Sequence, residues 1–171
     1  MGTRTKEAKV VSLDLESRIT EDDHQAIKLW LRLLSTTNLI EHQVRVRLRA
    51  EFQTTLPRFD LLAQLERHPA GLTMNELSQR MMVTAGNITR LVDELEREGL
   101  VAREPHPQDR RAIKVKLTPA GSRRFAAMAK IHEGWIIDLF AGLSREEKEL
   151  LYRLLAKLKQ HVLATGNEEA P

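Results

Sequence analysis

The segment that most constrains the fold of this chain runs from Val83 to Gly99, VTAGNITRLVDELEREG. Its apolar residues are spaced at i, i+3, i+4 and i+7, as on one face of a helix. These residues are Ile88, Leu91, Val92 and Leu95. Thr84 stands where a helix N-cap is expected, and Gly99 stands where a helix ends with a left-handed residue. The segment therefore predicts one amphipathic helix.

The opposite face of this helix is small and polar at its N-terminal end, and it has no carboxylate before Asp93. The residues on it are Thr84, Ala85, Gly86, Asn87, Thr89 and Arg90. Such a helix end can approach phosphates and base edges closely, because nothing bulky or anionic holds it off. An ordinary amphipathic surface helix has the same pattern, so the flanking sequence has to decide between the two.

The sequence before Thr84 predicts a second, shorter helix. Thr73 and Glu76 have the T-x-x-E spacing of a capping box, which indicates a helix that ends near Met81. Only two residues separate that end from Thr84. Two short helices joined by so tight a turn are typical of a helix-turn-helix, in which the second helix is the recognition helix.

The sequence after Gly99 changes to a strand-like pattern. Segments 100–104 and 112–117 predict the strands of a β-hairpin, which makes the helix-turn-helix winged. From Arg103 to Lys116 there are five cations and two anions, and this local excess of three matches the formal net charge of +3 of all 171 residues. A short basic hairpin is typical of an element that contacts DNA.

Long amphipathic helices flank this module in the sequence. Residues 21–52 predict one of them, and Thr118-Pro119 and a Ser144/Glu147 capping box begin two more, the last of which frays from Val162. Their apolar stripes exceed what one chain can cover, so we expect an obligate homodimer. The predicted fold is mainly α, with a flexible arm at 1–19, dimerisation helices at 20–53 and 119–163, a winged helix-turn-helix domain at 54–118, and a tail at 164–171.

Composition and motifs argue against several other classes of protein. The absence of Cys leaves no disulfide framework, thiolate nucleophile or Cys-based zinc site. No apolar run can span a bilayer and the N-terminus has no apolar signal region, so we expect a cytoplasmic protein. The six His are scattered, without H-E-x-x-H, and neither G-x-S-x-G nor a phosphate-binding glycine loop occurs. We therefore expect no enzyme, cofactor or metal site.

Residues 72–121 resemble the core of the MarR family of dimeric transcriptional regulators. The motifs that carry this resemblance are T-R-L-V-D-x-L-E-x-x-G-L-V from Thr89, and D-x-R followed by V-x-L-T-x-x-G, from Asp109 and Val115. The resemblance implies that the recognition helix enters the major groove of a pseudo-palindromic operator and that the wing tip enters the minor groove. Arg111 would be the minor-groove arginine, and Asp109 would hold its guanidinium in one orientation.

Further DNA contacts are expected from the recognition helix and its surroundings. The candidates for phosphates or base edges are Thr84, Asn87, Thr89 and Arg90. Arg80, Arg103 and Arg110 are candidates for phosphate contacts, with solvated surface charge as the alternative interpretation of each. The resemblance implies repression as the commoner mode of control.

The resemblance also implies a small-molecule effector, an aromatic acid or its CoA thioester, bound between the dimerisation helices and the DNA-binding lobe. The candidate pocket residues are Trp30, Leu34, Asn38, His42, Arg45, Arg49, Phe59 and Trp135. Arg45 and Arg49 lie one turn apart and suit a carboxylate or phosphate, whereas the apolar members equally suit core packing. Two other functions stay open: a constitutive or architectural DNA-binding protein without an effector, and an interaction protein that has lost DNA binding.

Overall fold

The structure, a computed structural model, describes residues 24–105 and 113–168. It contains six helices and three strands in this part of the chain: α1 (Gln25–Phe52), α2 (Leu56–Glu66), β1 (Leu72–Thr73), α3 (Met74–Met81), α4 (Ala85–Arg97), β2 (Val101–Pro105), β3 (Ile113–Leu117), α5 (Pro119–Leu139) and α6 (Arg145–Glu168). The predicted mainly α, winged helix-turn-helix fold is confirmed. The chain divides into two compact units, of which one contains α1 and the other contains α2 to α6.

The centre of the second unit is an apolar core shared by α2, α3, α4 and the strands. Side chains from each of these elements are almost completely buried: Leu61, Leu62, Leu65, Leu77, Ile88, Val92, Leu95, Val101 and Val115. The predicted capping box begins α3, with the Thr73 backbone N–H donating to Glu76 Oε2 at 2.7 Å and the Glu76 N–H donating to Thr73 Oγ1 at 3.3 Å. Because Ile88, Val92 and Leu95 lie in this core, the apolar stripe of α4 packs on the face that its spacing predicts.

The strands form one antiparallel sheet in the order β1-β3-β2, with Leu72 opposite Val115 and Val101 opposite Leu117. The hairpin of β2 and β3 is the predicted wing, shifted by one residue at both strand starts. β1 is not among the predicted strands, because two residues are too short to show the alternation of a strand.

A tight junction connects the end of α4 to the start of α5. Gly99 has φ +71°, as predicted for the residue after the helix, and its carbonyl accepts a hydrogen bond from Thr118 Oγ1 at 2.6 Å. Thr118 also caps α5, since its Oγ1 accepts from the Gly121 N–H at 3.0 Å. A Cβ on Gly121 would lie 1.9 Å from the carbonyl oxygen of Leu100, so only glycine fits here.

The terminal helices differ from the core elements in how little of them is covered. The structure describes α1 from Gln25, and the first residues of its predicted range lie outside the described residues. Its buried residues are Val44 and Leu48. The Ser144/Glu147 capping box precedes α6 as predicted, with the Ser144 N–H 2.8 Å from Glu147 Oε2. α6 continues to Glu168 instead of fraying from Val162, and none of its side chains between 145 and 165 is buried. Within the described residues no helix is long and apolar enough to cross a membrane.

Candidate nucleic-acid interface

The N-terminal half of α4 turns a small, polar face to solvent. Every residue of the predicted contact face is exposed: Thr84, Ala85, Gly86, Asn87, Thr89 and Arg90. A Cβ on Gly86 would meet no atom within 4 Å, which shows how open the surface is at this point. The same helix buries Ile88 and Val92 completely, so its contact face is held in place from behind.

The threonine hydroxyl groups at this end of α4 make fewer hydrogen bonds within the protein than the residues of a capped helix end normally do. Thr84 occupies the N-cap position in an extended conformation, yet its side chain makes no capping hydrogen bond. Thr89 Oγ1 donates to the Ala85 carbonyl at 3.0 Å and keeps its acceptor lone pairs. No acidic residue lies in the first turn. The helix end therefore offers N–H groups and a free hydroxyl to an anion.

Arg103, a predicted phosphate contact, is instead held by two carboxylates of α4. Its Nη2 donates to Asp93 Oδ1 at 2.5 Å, its Nη1 donates to Glu96 Oε2, and its backbone N–H donates to Glu96 Oε1 at 3.2 Å. Burial lowers the pKa of this guanidinium, but the hydrogen bonds to the two carboxylates outweigh burial and raise the pKa above its ordinary value. Arg103 therefore joins β2 to α4 as a permanent cation.

The strands of the wing carry less unpaired positive charge than the sequence suggests. Lys116 pairs with Glu104 at 2.6 Å across the hairpin, so two of the five counted cations, Arg103 and Lys116, are in ion pairs. The predicted tip residues Asp109, Arg110 and Arg111 lie outside the described residues. Their roles stay predictions.

The candidate effector residues fall in both units. Trp30, Leu34, Asn38 and His42 are exposed at four-residue intervals and follow one face of α1. Arg45 and Arg49 are exposed too, and Arg45 Nη2 donates to Glu41 Oε2 at 2.9 Å. Phe59 and Trp135 are buried in the second unit, where His132 lies between them, its ring centroid 4.7 Å from that of Phe59 and 6.1 Å from that of Trp135.

The second unit contains a cavity of about 370 Å³ that the sequence analysis missed. It lies among α2, the end of α3, the turn before α4, and α5. Its lining residues are Pro57, Phe59, Asp60, Ala63, Gln64, Arg67, Arg80, Met81, Val83 and His132. Burial lowers the pKa of His132, which favours the neutral ring. The spacing of Pro57, Asp60, Gln64 and Arg67 marks one face of α2, but only the packing of three helices makes that face a cavity wall.

The cavity has one aromatic wall and two cations. Phe59 and the ring of His132 form the wall, and Arg67 and Arg80 supply the positive charge. Arg80, predicted as a phosphate contact, is exposed and lies at the cavity edge. Asp60 adds one carboxylate to the lining. In the part of the chain that the structure describes, no group of three His, Cys, Asp or Glu residues can hold a metal ion.

Together, the helix-turn-helix, the hairpin wing and the open end of α4 define a winged helix-turn-helix DNA-binding protein. A profile of the MarR family matches residues 52–112. An HTH-type transcriptional regulator of Bacillus cereus strain ZK / E33L is 31% identical over 137 residues, which cover 78% of this chain and 88% of that relative. This chain belongs to the MarR family of transcriptional regulators.

Two further comparisons support that assignment. The HTH-type transcriptional regulator YkoM of Bacillus subtilis strain 168 is 34% identical over 93 residues, which span 53% of this chain and 60% of that relative. The crystal structure of an S. aureus MepR–DNA complex is 25% identical, with a TM-score of 0.65 over 78% of this chain and 96% of that one. The likeness to known regulators thus extends beyond the central module.

Proposed function

We propose that this protein is a dimeric, ligand-responsive transcriptional repressor that binds a pseudo-palindromic operator in the cytoplasm. The observation that carries the proposal is the open N-terminal half of α4, whose small polar face is exposed while its apolar face is fixed in the core. Such a helix fits the major groove, which is about 12 Å wide. The S. aureus MepR structure is of a DNA complex, which supports DNA binding by this chain as well.

Each part of this surface has a proposed role. Asn87 and Arg90 read base edges or bind phosphate, and Thr84 and Thr89 bind phosphate at the helix end. The wing tip, with Asp109, Arg110 and Arg111, enters the minor groove beside it. The exposed apolar stripes of α1 and α6 pack against a second copy of the chain, and dimer symmetry spaces two half-sites by about one helical turn, ~10 bp.

The effector proposed here is a small aromatic carboxylate or its CoA thioester. The cavity among α2, α3 and α5 supports this class, because it combines aromatic surface from Phe59 and His132 with the cations Arg67 and Arg80. Val83 borders the cavity and directly precedes the N-cap of α4, so a bound ligand can change the position of that helix. The residues proposed on α1, from Trp30 to Arg49, are the competing site.

A DNA-selection experiment tests the DNA-binding part. A duplex is selected from a random pool with the full chain, and its affinity is then measured for variants. Asn87→Ala and Arg90→Ala should each weaken binding by about 1–3 kcal/mol, the value of a bidentate base contact. Arg111→Ala should abolish binding without changing helicity. Arg153→Ala, at an exposed arginine of α6, is the matched control and should bind normally.

A ligand screen tests the effector part. Benzoate, salicylate and benzoyl-CoA are tested for a thermal shift, and any ligand found is tested for release of the selected duplex. Arg67→Ala should remove the response if the cavity is the site, whereas Arg49→Ala should remove it if α1 provides the site. A protein that binds DNA and ignores the whole screen is a constitutive DNA binder. A protein that selects no duplex is an interaction protein, and the proposal is wrong.

A further inference from the structure

Arg103 lies at the point where the wing meets α4. Two side-chain hydrogen bonds and one backbone hydrogen bond run from it to Asp93 and Glu96. The arginine side chain is only 25% exposed, whereas those of its two partners are 48% and 38% exposed. A single cation here bridges two carboxylates of one helix.

The two carboxylates lie on an element that we propose to place against DNA. Unpaired, Asp93 and Glu96 would repel the phosphates that flank the groove. Arg103 cancels half of that charge, and its planar fork reaches both acceptors at once, which a lysine ammonium cannot do with the same geometry. Arg103 thus reduces the repulsion of phosphates and also fixes the distance between β2 and α4.

We propose that Arg103 is a positioning residue for DNA recognition, which holds β2 of the wing against α4 so that both elements meet the duplex as one body. This inference rests on the proposed function. The physical reason is preorganisation, because a wing that had to be ordered on binding would reduce the affinity by the free energy of that ordering. Arg103 itself touches no DNA in this proposal.

The footprint of the protein on the duplex separates positioning from direct phosphate contact. If Arg103 neutralised a phosphate, its loss would lower the slope of log K against log salt by about 0.9 and leave the wing's protection of the minor groove in place. A positioning residue leaves the number of phosphate contacts of α4 unchanged. Its loss instead removes the protection that the wing gives to the minor groove, while the protection of the major groove by α4 remains.

The experiment uses the duplex selected by the full wild-type chain. Arg103→Gln should weaken binding about tenfold or more, as expected when the wing contacts are lost, and erase hydroxyl-radical protection of the minor groove beside each half-site while the major-groove protection by α4 remains. Arg103→Lys, which keeps the charge and loses the fork, should restore less than half of the loss on a logarithmic scale. Lys116→Gln is the matched control, since its ion pair with Glu104 stays within the wing, and it should keep the minor-groove protection.

A second variant keeps the test decisive if Arg103→Gln fails to fold. Asp93→Ala/Glu96→Ala removes the acceptors and leaves the arginine in place, and it should erase the same minor-groove protection. The inference is overturned if this protection persists in the foldable variants. Persistent protection together with a salt slope that falls by about one in Arg103→Gln would make Arg103 a direct phosphate contact instead. Failure of the wild-type chain to select any duplex would contradict the proposed function instead, so the two failures are distinguishable.

Discussion

Two helices of this protein, α4 and α6, have the same kind of apolar stripe and opposite surroundings. The stripe of α4, Ile88 to Leu95, is 0–6% exposed. In α6, Leu150, Leu154, Leu158 and Val162 are 41–58% exposed. A helical pattern of apolar residues therefore predicts the helix and the face, but not what covers that face. For α4 the cover comes from α2, α3 and the sheet of the same chain, and for α6 we propose that it comes from a second copy.

The largest effects should separate these two stripes directly. Leu95→Ala should lower the free energy of unfolding by about 2–5 kcal/mol, because it leaves a cavity in a fully packed core. Leu158→Ala should leave little cavity in the single chain and should weaken self-association instead. Urea unfolding at two protein concentrations and analytical ultracentrifugation measure both quantities.

Two results would contradict the proposed difference between the α4 and α6 stripes. If Leu158→Ala loses as much stability as Leu95→Ala at every protein concentration, the α6 stripe is covered within one chain. A wild-type protein that sediments as a monomer at micromolar concentration would also contradict a second copy as the cover. In either case the difference in exposure between the two helices would have no functional meaning.

The next largest effect concerns the junction through which α5 leaves the core. Gly121→Ala should destabilise the protein by about 3 kcal/mol, at the upper end of overpacking, because the new Cβ would lie 1.9 Å from the Leu100 carbonyl oxygen. Gly134→Ala in the same helix is the matched control. Its Cβ would meet nothing within 4 Å, so the better helix propensity of alanine should stabilise by up to about 1 kcal/mol.

Thermal unfolding followed by circular dichroism measures this pair of variants. Opposite signs for Gly121→Ala and Gly134→Ala would show that the junction, and not helix propensity, governs the start of α5. Equal and small effects would mean that the Gly99–Thr118 junction tolerates a shift of the backbone. Packing at this junction would then be looser than the packing around α4.

The parts of the fold that the sequence predicted are those controlled by local patterns. The period of Ile88 to Leu95, the capping box at Thr73 and the left-handed Gly99 each depend on neighbours within a few residues. β1 was missed because its two residues form a strand only through pairing with Val115 and Lys114 of β3. Even Thr84 shows the limit, since its position predicts a cap and its side chain makes no capping bond.

The candidate site shows the same division. The exposed face of α4 followed from the helical period, because burying one stripe leaves the opposite face outside. The role of Arg103 did not follow, since nothing in the spacing of Asp93, Glu96 and Arg103 says which cation folds back onto the helix. The cavity needed three helices to be in place before its lining residues had anything in common.

A smaller effect should come from the cap that orients α3 beneath α4. Hydrogen bonds from the Thr73 backbone N–H and hydroxyl lower the pKa of Glu76 in the folded state. The carboxylate therefore stabilises the fold above its unfolded pKa, and this contribution is lost as the pH falls through the lowered folded pKa. Glu76→Ala should cost about 1 kcal/mol at pH 7 and progressively less towards pH 3.

Urea unfolding across this pH range checks the sign. Thr73→Ala removes the same box from the other side, so the double variant should lose less than the sum of the two single losses. A Glu76→Ala penalty that is unchanged at pH 3 would mean that Glu76 contributes through packing rather than through its charge. The cap of α3, which packs against α4, would then contribute the same stability at every pH.

The smallest effect concerns an exposed residue in the turn of the otherwise well-packed helix-turn-helix. Met82, in the turn before α4, is 92% exposed and has φ +53°, a conformation that costs a non-glycine residue about 1 kcal/mol. Met82→Gly should therefore stabilise the protein by about 0.5–1 kcal/mol, since little packing is lost. Gln53→Gly is the matched control, because Gln53 has the same φ of +53° and is also exposed. If only Gln53→Gly stabilises, the methionine side chain contributes to the stability of the turn despite its exposure. Met82 would then belong with the self-covered part of the molecule around α4, and not with exposed surfaces such as that of α6.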